Sequence, residues 1–282
     1  MVMEIRPHGK VGAEILGVDL GNLAEADLAG IRAAFADHGV VFFRDQTIDE
    51  DAHIAFCRRL GTININRFFA AHPRYPEIAL VLKEPEQTTN IGGGWHTDHS
   101  YDVEPALGSV LVARELPPQG GATAFASMYA AYDALPADLR ALADGARAVH
   151  SARHIFGSRN SAYAALREEG DDGRIGNAAA ADVLDDVTHP VVITHPLSGK
   201  RALYVNPAFT TAIVGLDADE SRALLDALYT HALSPEFQEV FHWQPGSVAL
   251  WDNRSTWHYA HNDYHGHRRE LHRITIEGEP LH

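Results

Sequence analysis

GSVLVARELPPQGGATAFAS, Gly108 to Ser127, is the stretch whose reading decides the fold. An apolar run, Ser109 to Arg114, meets Pro117, Pro118, Gly120 and Gly121, and a second apolar run, Ala122 to Phe125, follows at once. Short apolar runs bounded by Gly and Pro read as strands joined by turns. The signature returns at Arg147 to His150, Pro190 to Thr194, Ala202 to Val205, Ser247 to Trp251 and Leu271 to Glu277. Many short strands of this kind predict a sandwich or jelly roll. Upstream the pattern changes. Ala13 to Leu20 alternates weakly as a strand, and Glu25 to Asp37 carries Leu28, Ile31 and Phe35 at helical spacing until Gly39 breaks it. Val40 to Phe43 is an apolar strand, and Ile78 to Leu82 another. Thr47-Ile-Asp-Glu50 has the form of a capping box opening a helix to Leu60, and Asp217-Ala-Asp-Glu220 repeats it before a helix to Ala232. A further helical run, Met128 to Leu142, is split by Pro136.

The chemistry lies in WHTDHSY, Trp95 to Tyr101, read with WDNRSTWHYAHNDYHGHRRELHR, Trp251 to Arg273. His96 and Asp98 are two residues apart, so on a strand they share a face and can reach one metal ion. His258 supplies a second imidazole. Two histidines and one carboxylate with open positions opposite are the ligand set of non-haem Fe(II) oxygenases. A second His-x-Asp triplet, His261/Asp263, sits in a polar His-Asn-Asp-Tyr-His-Gly-His tract that reads as an exposed turn and is set aside. Arg269 and Arg273, four residues apart, share a strand face, and planar guanidinium groups suit a co-substrate that carries carboxylates. The residues thus point to an Fe(II)- and 2-oxoglutarate-dependent dioxygenase, 2-oxoglutarate being α-ketoglutarate. A zinc hydrolase would want a general base, and no HExxH helix is present. A non-catalytic barrel that only binds would need no such triad.

These motifs, together with HPVVITHPLSGKRALYVNPAFTT (His189 to Thr211), resemble in order the TauD/TfdA family of dioxygenases, from about Val11 to Pro280. The resemblance implies a mainly β fold with flanking helices around a double-stranded β-helix (jelly-roll) core, in one domain spanning 1–282. It implies Fe(II) held by His96, Asp98 and His258, with 2-oxoglutarate chelating the metal and O2 taking the last position, and with succinate and CO2 as by-products. The distal carboxylate of 2-oxoglutarate would meet Arg269 and Thr123, and Arg273 would face the acidic group of the substrate. Phe156 and Phe209 match aromatic walls of the family's substrate pocket. Taurine dioxygenases carry histidine, tyrosine and asparagine where this chain has Asn66, Phe69 and Gly92. The loss of that polarity predicts a small organic anion with an apolar body, a sulfonate or carboxylate such as an aryloxyalkanoate, in preference to taurine.

Composition bounds the rest. With 282 residues, 45% of them hydrophobic, the chain can bury a sizeable core. Its net charge of −15 argues against nucleic acid or an anionic membrane as partner. No apolar stretch reaches membrane-spanning length, and the N-terminus lacks an apolar signal region. A single cysteine, Cys57, allows no internal disulfide and suits a reducing cytoplasm, with the thiol expected in the core. The Ala/Gly/Asp/Glu-rich stretch 158–187 lacks periodicity and reads as a lid over the substrate. A homo-oligomer is compatible with all of this.

Overall fold

The computed structural model describes residues 2–159, 161, 163 and 178–282. Most of the stretch read as a lid, 158–187, lies outside the described residues. The largest sheet runs β1 (Glu4–Pro7), β2 (Ala13–Leu16), β3 (Val40–Phe43), β15 (Val248–Asp252), β7 (Gly108–Glu115), β17 (Arg269–Ile276), β6 (Tyr75–Lys83), β5 (Ala71–His72), with β4 (Ile63–Asn64) on the end of β17. All of its pairs are antiparallel except β2 with β3. A second sheet, β14 (Gln238–Phe241), β8 (Thr123–Ser127) and β16 (Thr256–Ala260), faces it. The two make the jelly-roll sandwich.

Why these strands read as unbroken apolar runs is clear from the two faces of the large sheet. Val41, Phe43, Val110, Val112, Val248, Leu250, Ile274 and Ile276 pack outward with residues of α1 (Glu25–His38) and α2 (Glu50–Leu60). The alternate residues, Val40, Phe42, Leu111, Ala249, Trp251 and Leu271, pack inward with Phe125 and Phe241 of the second sheet. Strands covered on both faces lose the polar half of the alternation. Across the sandwich Phe42 stacks on Phe241 at 4.1 Å, and Phe125 meets Trp251 at 6.0 Å.

A third layer covers the far side. There α3 (Met128–Asp133), α4 (Ala137–Ala143) and the long helix Ala218–Ala232 pack over β11 (Val192–Thr194) and β12 (Arg201–Leu203). Asp217 and Glu220 form the expected capping box of the long helix. The box expected at Thr47 is different: the cap is Asp49, whose carboxylate accepts the Ala52 N–H at 2.8 Å. An aspartate beginning the helix one residue before Glu50 reaches the third amide, which Thr47 is too far upstream to do. Asp49→Ala should therefore cost about 1 kcal/mol in chemical denaturation, and Thr47→Ala much less. The run Pro190 to Thr194 is likewise two strands. β10 (Val187–Pro190) pairs with β9 (Arg147–His150), whereas β11 leaves that sheet to pair with β12.

Candidate active site

His258 stands on β16, opposite Phe125 of β8. His96 lies in no regular strand, but it makes a one-residue bridge to His258. The His258 N–H donates to the His96 carbonyl at 2.8 Å, and the His96 N–H returns the bond at 3.2 Å. That bridge holds the two imidazoles with centroids 4.1 Å apart. Asp98 follows in a turn rather than on a strand, a departure from the strand geometry that the spacing suggested. The turn is fixed by His99, a non-glycine residue at φ 58, whose Nδ1 lies 2.9 Å from Asp102. Asp102 is in turn gripped by Arg67. Within the site, His96 Nε2 is 3.7 Å from Asp98 Oδ1, and His258 Nε2 is 3.7 Å from Asp98 Oδ2. The ligand atoms of all three lie within 4.8 Å of one another.

The donor set fits a divalent cation. His96 Nδ1 donates to the Gly94 carbonyl at 2.7 Å, which leaves the Nε2 lone pair for a metal. Burial, with His96 and Arg273 nearby, holds His258 well below the usual imidazole range, so it stays neutral. Burial alone would raise the Asp98 carboxyl, but Arg273, His258, His96 and His99 outweigh it and keep it ionised. A neutral His258 imidazole beside an ionised Asp98 carboxylate suits metal binding. The turn that leads into β16 is braced from behind. Asp252, fully buried, accepts from Arg254 through Nε at 2.9 Å and Nη2 at 2.8 Å and lies 2.9 Å from His195 Nε2.

Two buried arginines flank the triad. Arg269, on β17, donates Nε–H to the Gly121 carbonyl at 3.1 Å, its guanidinium lying between the rings of Trp243 and Tyr264. Burial lowers its pKa, and the Tyr264 hydroxyl, which hydrogen-bonds it, and the Asp263 carboxylate offset only part of that. Trp243 Nε1 donates to Thr123 Oγ1 at 3.0 Å, so the Thr123 hydroxyl hydrogen is left to give to an incoming oxygen. Arg273 donates Nη1–H to Asp98 Oδ2 at 3.0 Å, while its Nε and Nη2 are buried with no hydrogen-bond partner among the described residues. Arg273 is therefore engaged with the triad as well as aimed at what lies beside it.

All of these groups open on one cavity of about 530 Å³. Thr123, His96, Asp98, His258, Arg269 and Arg273 form its polar side, and Phe69, Val81, Leu111, Ile155, Phe156, Tyr163 and Phe209 its apolar side. Asn66 stands outside this lining. Its Oδ1 accepts the Phe68 and Phe69 amides at 2.9 Å each, so it shapes the backbone that presents Phe69. Phe68 is fully buried behind the wall, stacked on Phe156 at 4.4 Å. Gly92 lies in the lining at φ 80. The His261/Asp263 pair joins no metal cluster among the described residues. Asp263 Oδ1 accepts the Gly121 N–H at 2.7 Å and ties down the loop that precedes Thr123.

The sequence gives no local sign of Trp243 and Tyr264, because their relation to Thr123 and Arg269 exists only in three dimensions. A second group, Glu50, His72 and His272, also gathers potential ligands. There Arg114 Nε donates to His272 Nδ1 at 3.1 Å and Nη2 lies 3.6 Å from Glu50, so a guanidinium already supplies the positive charge.

Known proteins resemble this chain over most of its length. Residues 4–275 match the family described as taurine catabolism dioxygenase TauD, TfdA family. The chain is 34% identical over 285 residues to the alpha-ketoglutarate-dependent sulfate ester dioxygenase of Pseudomonas putida, covering 98% of this chain and 90% of that one. It is 32% identical over 277 residues to the alkylsulfatase of Acinetobacter baylyi, covering 96% and 83%. The crystal structure of a taurine dioxygenase from Burkholderia xenovorans superposes with a TM-score of 0.80 at 34% identity, over 99% of this chain and 90% of that one. Among the described residues no helix is long and apolar enough to cross a membrane. The chain belongs to the TauD, TfdA family, and it is an α-ketoglutarate-dependent dioxygenase with a jelly-roll core.

Proposed function

We propose that the protein oxidises a C–H bond of a small organic anion with an apolar body, using Fe(II) held by His96, Asp98 and His258. Arg269 and Thr123 take the distal carboxylate of 2-oxoglutarate, and Arg273 takes the acidic head of the substrate. The observation that carries the substrate class is Arg273. A guanidinium with two nitrogens, Nε and Nη2, buried with no partner among the described residues, beside an apolar cavity wall, is costly unless an anion completes it. Its face also lies 4.6 Å from the Phe69 ring centroid, which fixes the plane it offers. The relatives that act on sulfate esters support an oxyanion head, and the phenylalanine-rich lining supports an apolar tail.

Bound Fe(II), with 2-oxoglutarate and O2, would supply the oxidising power, and succinate and CO2 would leave. The chain's own part is positional. His96 and His258, locked by their mutual backbone bridge, fix two directions, and Asp98 fixes the third. Because Arg273 hydrogen-bonds Asp98, a head group seated on its remaining N–H bonds is held close to the triad. Phe69, Phe156 and Phe209 exclude water from the tail.

The test is succinate release across matched amounts of taurine, longer alkanesulfonates, alkyl sulfates and aryloxyalkanoic acids. Apolar anions should exceed taurine by at least about tenfold in kcat/KM, the worth of one or two buried methylenes. Taurine emerging as the best substrate would refute the apolar-pocket reading. Neutral amides turning over as well as the acids would refute the role of Arg273.

A further inference from the structure

We propose that Lys83 and Tyr264 are positioning residues for the co-substrate, holding Arg269 ready for a carboxylate and adding a second positive charge behind it. The inference rests on the assignment of Arg269 to 2-oxoglutarate. In the antiparallel register Lys83 of β6 lies directly opposite Arg269 of β17. Residues directly opposite project from the same face with Cβ atoms about 5 Å apart. That face is the cavity face, since Val81, two residues before Lys83, lines the cavity, as does Arg273, four after Arg269. Both cations are almost entirely withdrawn from water, Lys83 at 1% exposure and Arg269 at 3%.

Like charges directly opposite destabilise a sheet, and burial enlarges the cost. Tyr264, also buried, mediates between them: Lys83 Nζ lies 4.3 Å from its ring centroid and Arg269 Cζ 5.7 Å from the same centroid. One aromatic ring thereby meets both cations and helps set where the guanidinium lies. Trp243 closes its other side and also orients Thr123. Asp263, adjacent in sequence to Tyr264, accepts the Gly121 N–H. Lys83 and Tyr264 stand outside the cavity lining, so they act through Arg269. The arrangement matches an anion at the Arg269 end of the cavity, and doubled positive charge there favours a dianionic 2-oxo acid over a monoanionic one.

The experiment is calorimetric titration of 2-oxoglutarate into the Mn(II)-loaded protein, where no turnover intervenes, for Lys83→Met, Lys83→Arg, Tyr264→Phe and Arg269→Ala. Lys83→Met should raise Kd by about tenfold, as expected for removing one partly screened charge at this range, and flatten its dependence on salt. Its melting temperature without 2-oxoglutarate should not fall. Lys83→Arg should recover most of the affinity, and Tyr264→Phe, which keeps the ring but removes the hydroxyl bonded to Arg269, should raise Kd less than Lys83→Met does. In turnover assays the Lys83→Met defect should appear in KM for 2-oxoglutarate with kcat retained. A packing role alone would instead lower the melting temperature of Lys83→Met and leave Kd unchanged, and that result overturns the proposal. If Arg269→Ala leaves Kd unchanged as well, the assignment of Arg269 is what has failed. If only Lys83→Met is silent, the assignment stands and this inference alone falls.

Discussion

His96→Ala, Asp98→Ala and His258→Ala are each expected to abolish Fe(II)-dependent turnover while leaving a folded protein. Three protein ligands are the full set, and no fourth His, Cys, Asp or Glu joins the cluster among the described residues. Changes in groups that merely orient a ligand already cost roughly 10–100-fold in metal affinity, so loss of a ligand should exceed that. Asp98→Ala carries an additional penalty, because it removes the partner of Arg273 Nη1 and leaves that guanidinium still less satisfied in a buried setting. Its melting temperature should therefore fall further than that of His96→Ala. His261→Ala and Asp263→Ala are the controls. Neither should affect metal affinity, although Asp263→Ala frees the Gly121 amide and should loosen the loop before Thr123. The readout is metal affinity by calorimetry beside succinate release. An essential His261/Asp263 pair with a dispensable His96/Asp98 pair would move the site.

What could be read from the sequence follows from how local each signal is. Strands β3 and β9 have the bounds that their apolar runs suggested, Val40–Phe43 and Arg147–His150, because a short run between turns is its own boundary. The helices at Glu25 and Ala218 begin and end near their punctuation, Gly39 at φ 74 and the Asp217/Glu220 box. Strand β16 carries no such local signature: its residues, Thr256–Ala260, alternate no better than the turn before them and are held by pairing with distant β8. The spacing of His96 and Asp98 suggested a shared strand face, yet a backbone bridge and a left-handed residue bring them together. Residue types and order thus carried the chemistry, whereas partners separated by more than a hundred residues, such as Trp243 with Thr123, needed the fold. Asn66 shows the opposite case. A position matched by family likeness turns its side chain to the adjacent backbone, because a short amide two residues before an amide N–H caps it readily.

Arg269→Ala is expected to raise the apparent constant for 2-oxoglutarate by roughly two to three orders of magnitude. The estimate follows from the cost of removing one partner of a buried charge pair, roughly 3–5 kcal/mol, at about 1.4 kcal/mol per factor of ten. On this assignment the cost falls at binding. Arg269 lies almost wholly out of water, and its Nε is already given to the Gly121 carbonyl, which leaves the far edge of the guanidinium to meet a carboxylate. Thr123, oriented by Trp243, supplies one hydroxyl and cannot replace a delocalised cation. Arg269→Lys should recover part of the loss, because an ammonium restores the charge but presents neither the planar fork nor the Nε contact. Gly121 offers a check on the same geometry from the other side. A Cβ there would sit 3.0 Å from both Cδ and Nε of Arg269, at a φ of 68 that favours glycine. Gly121→Ala should therefore imitate a mild form of the arginine defect, raising KM for 2-oxoglutarate without changing the constant for the primary substrate. Arg273→Ala should do the reverse, since its free N–H groups serve the substrate head. Steady-state kinetics with each component varied in turn separates the two. An Arg269→Ala enzyme whose dependence on 2-oxoglutarate is unchanged would mean that the distal carboxylate is bound elsewhere in the cavity.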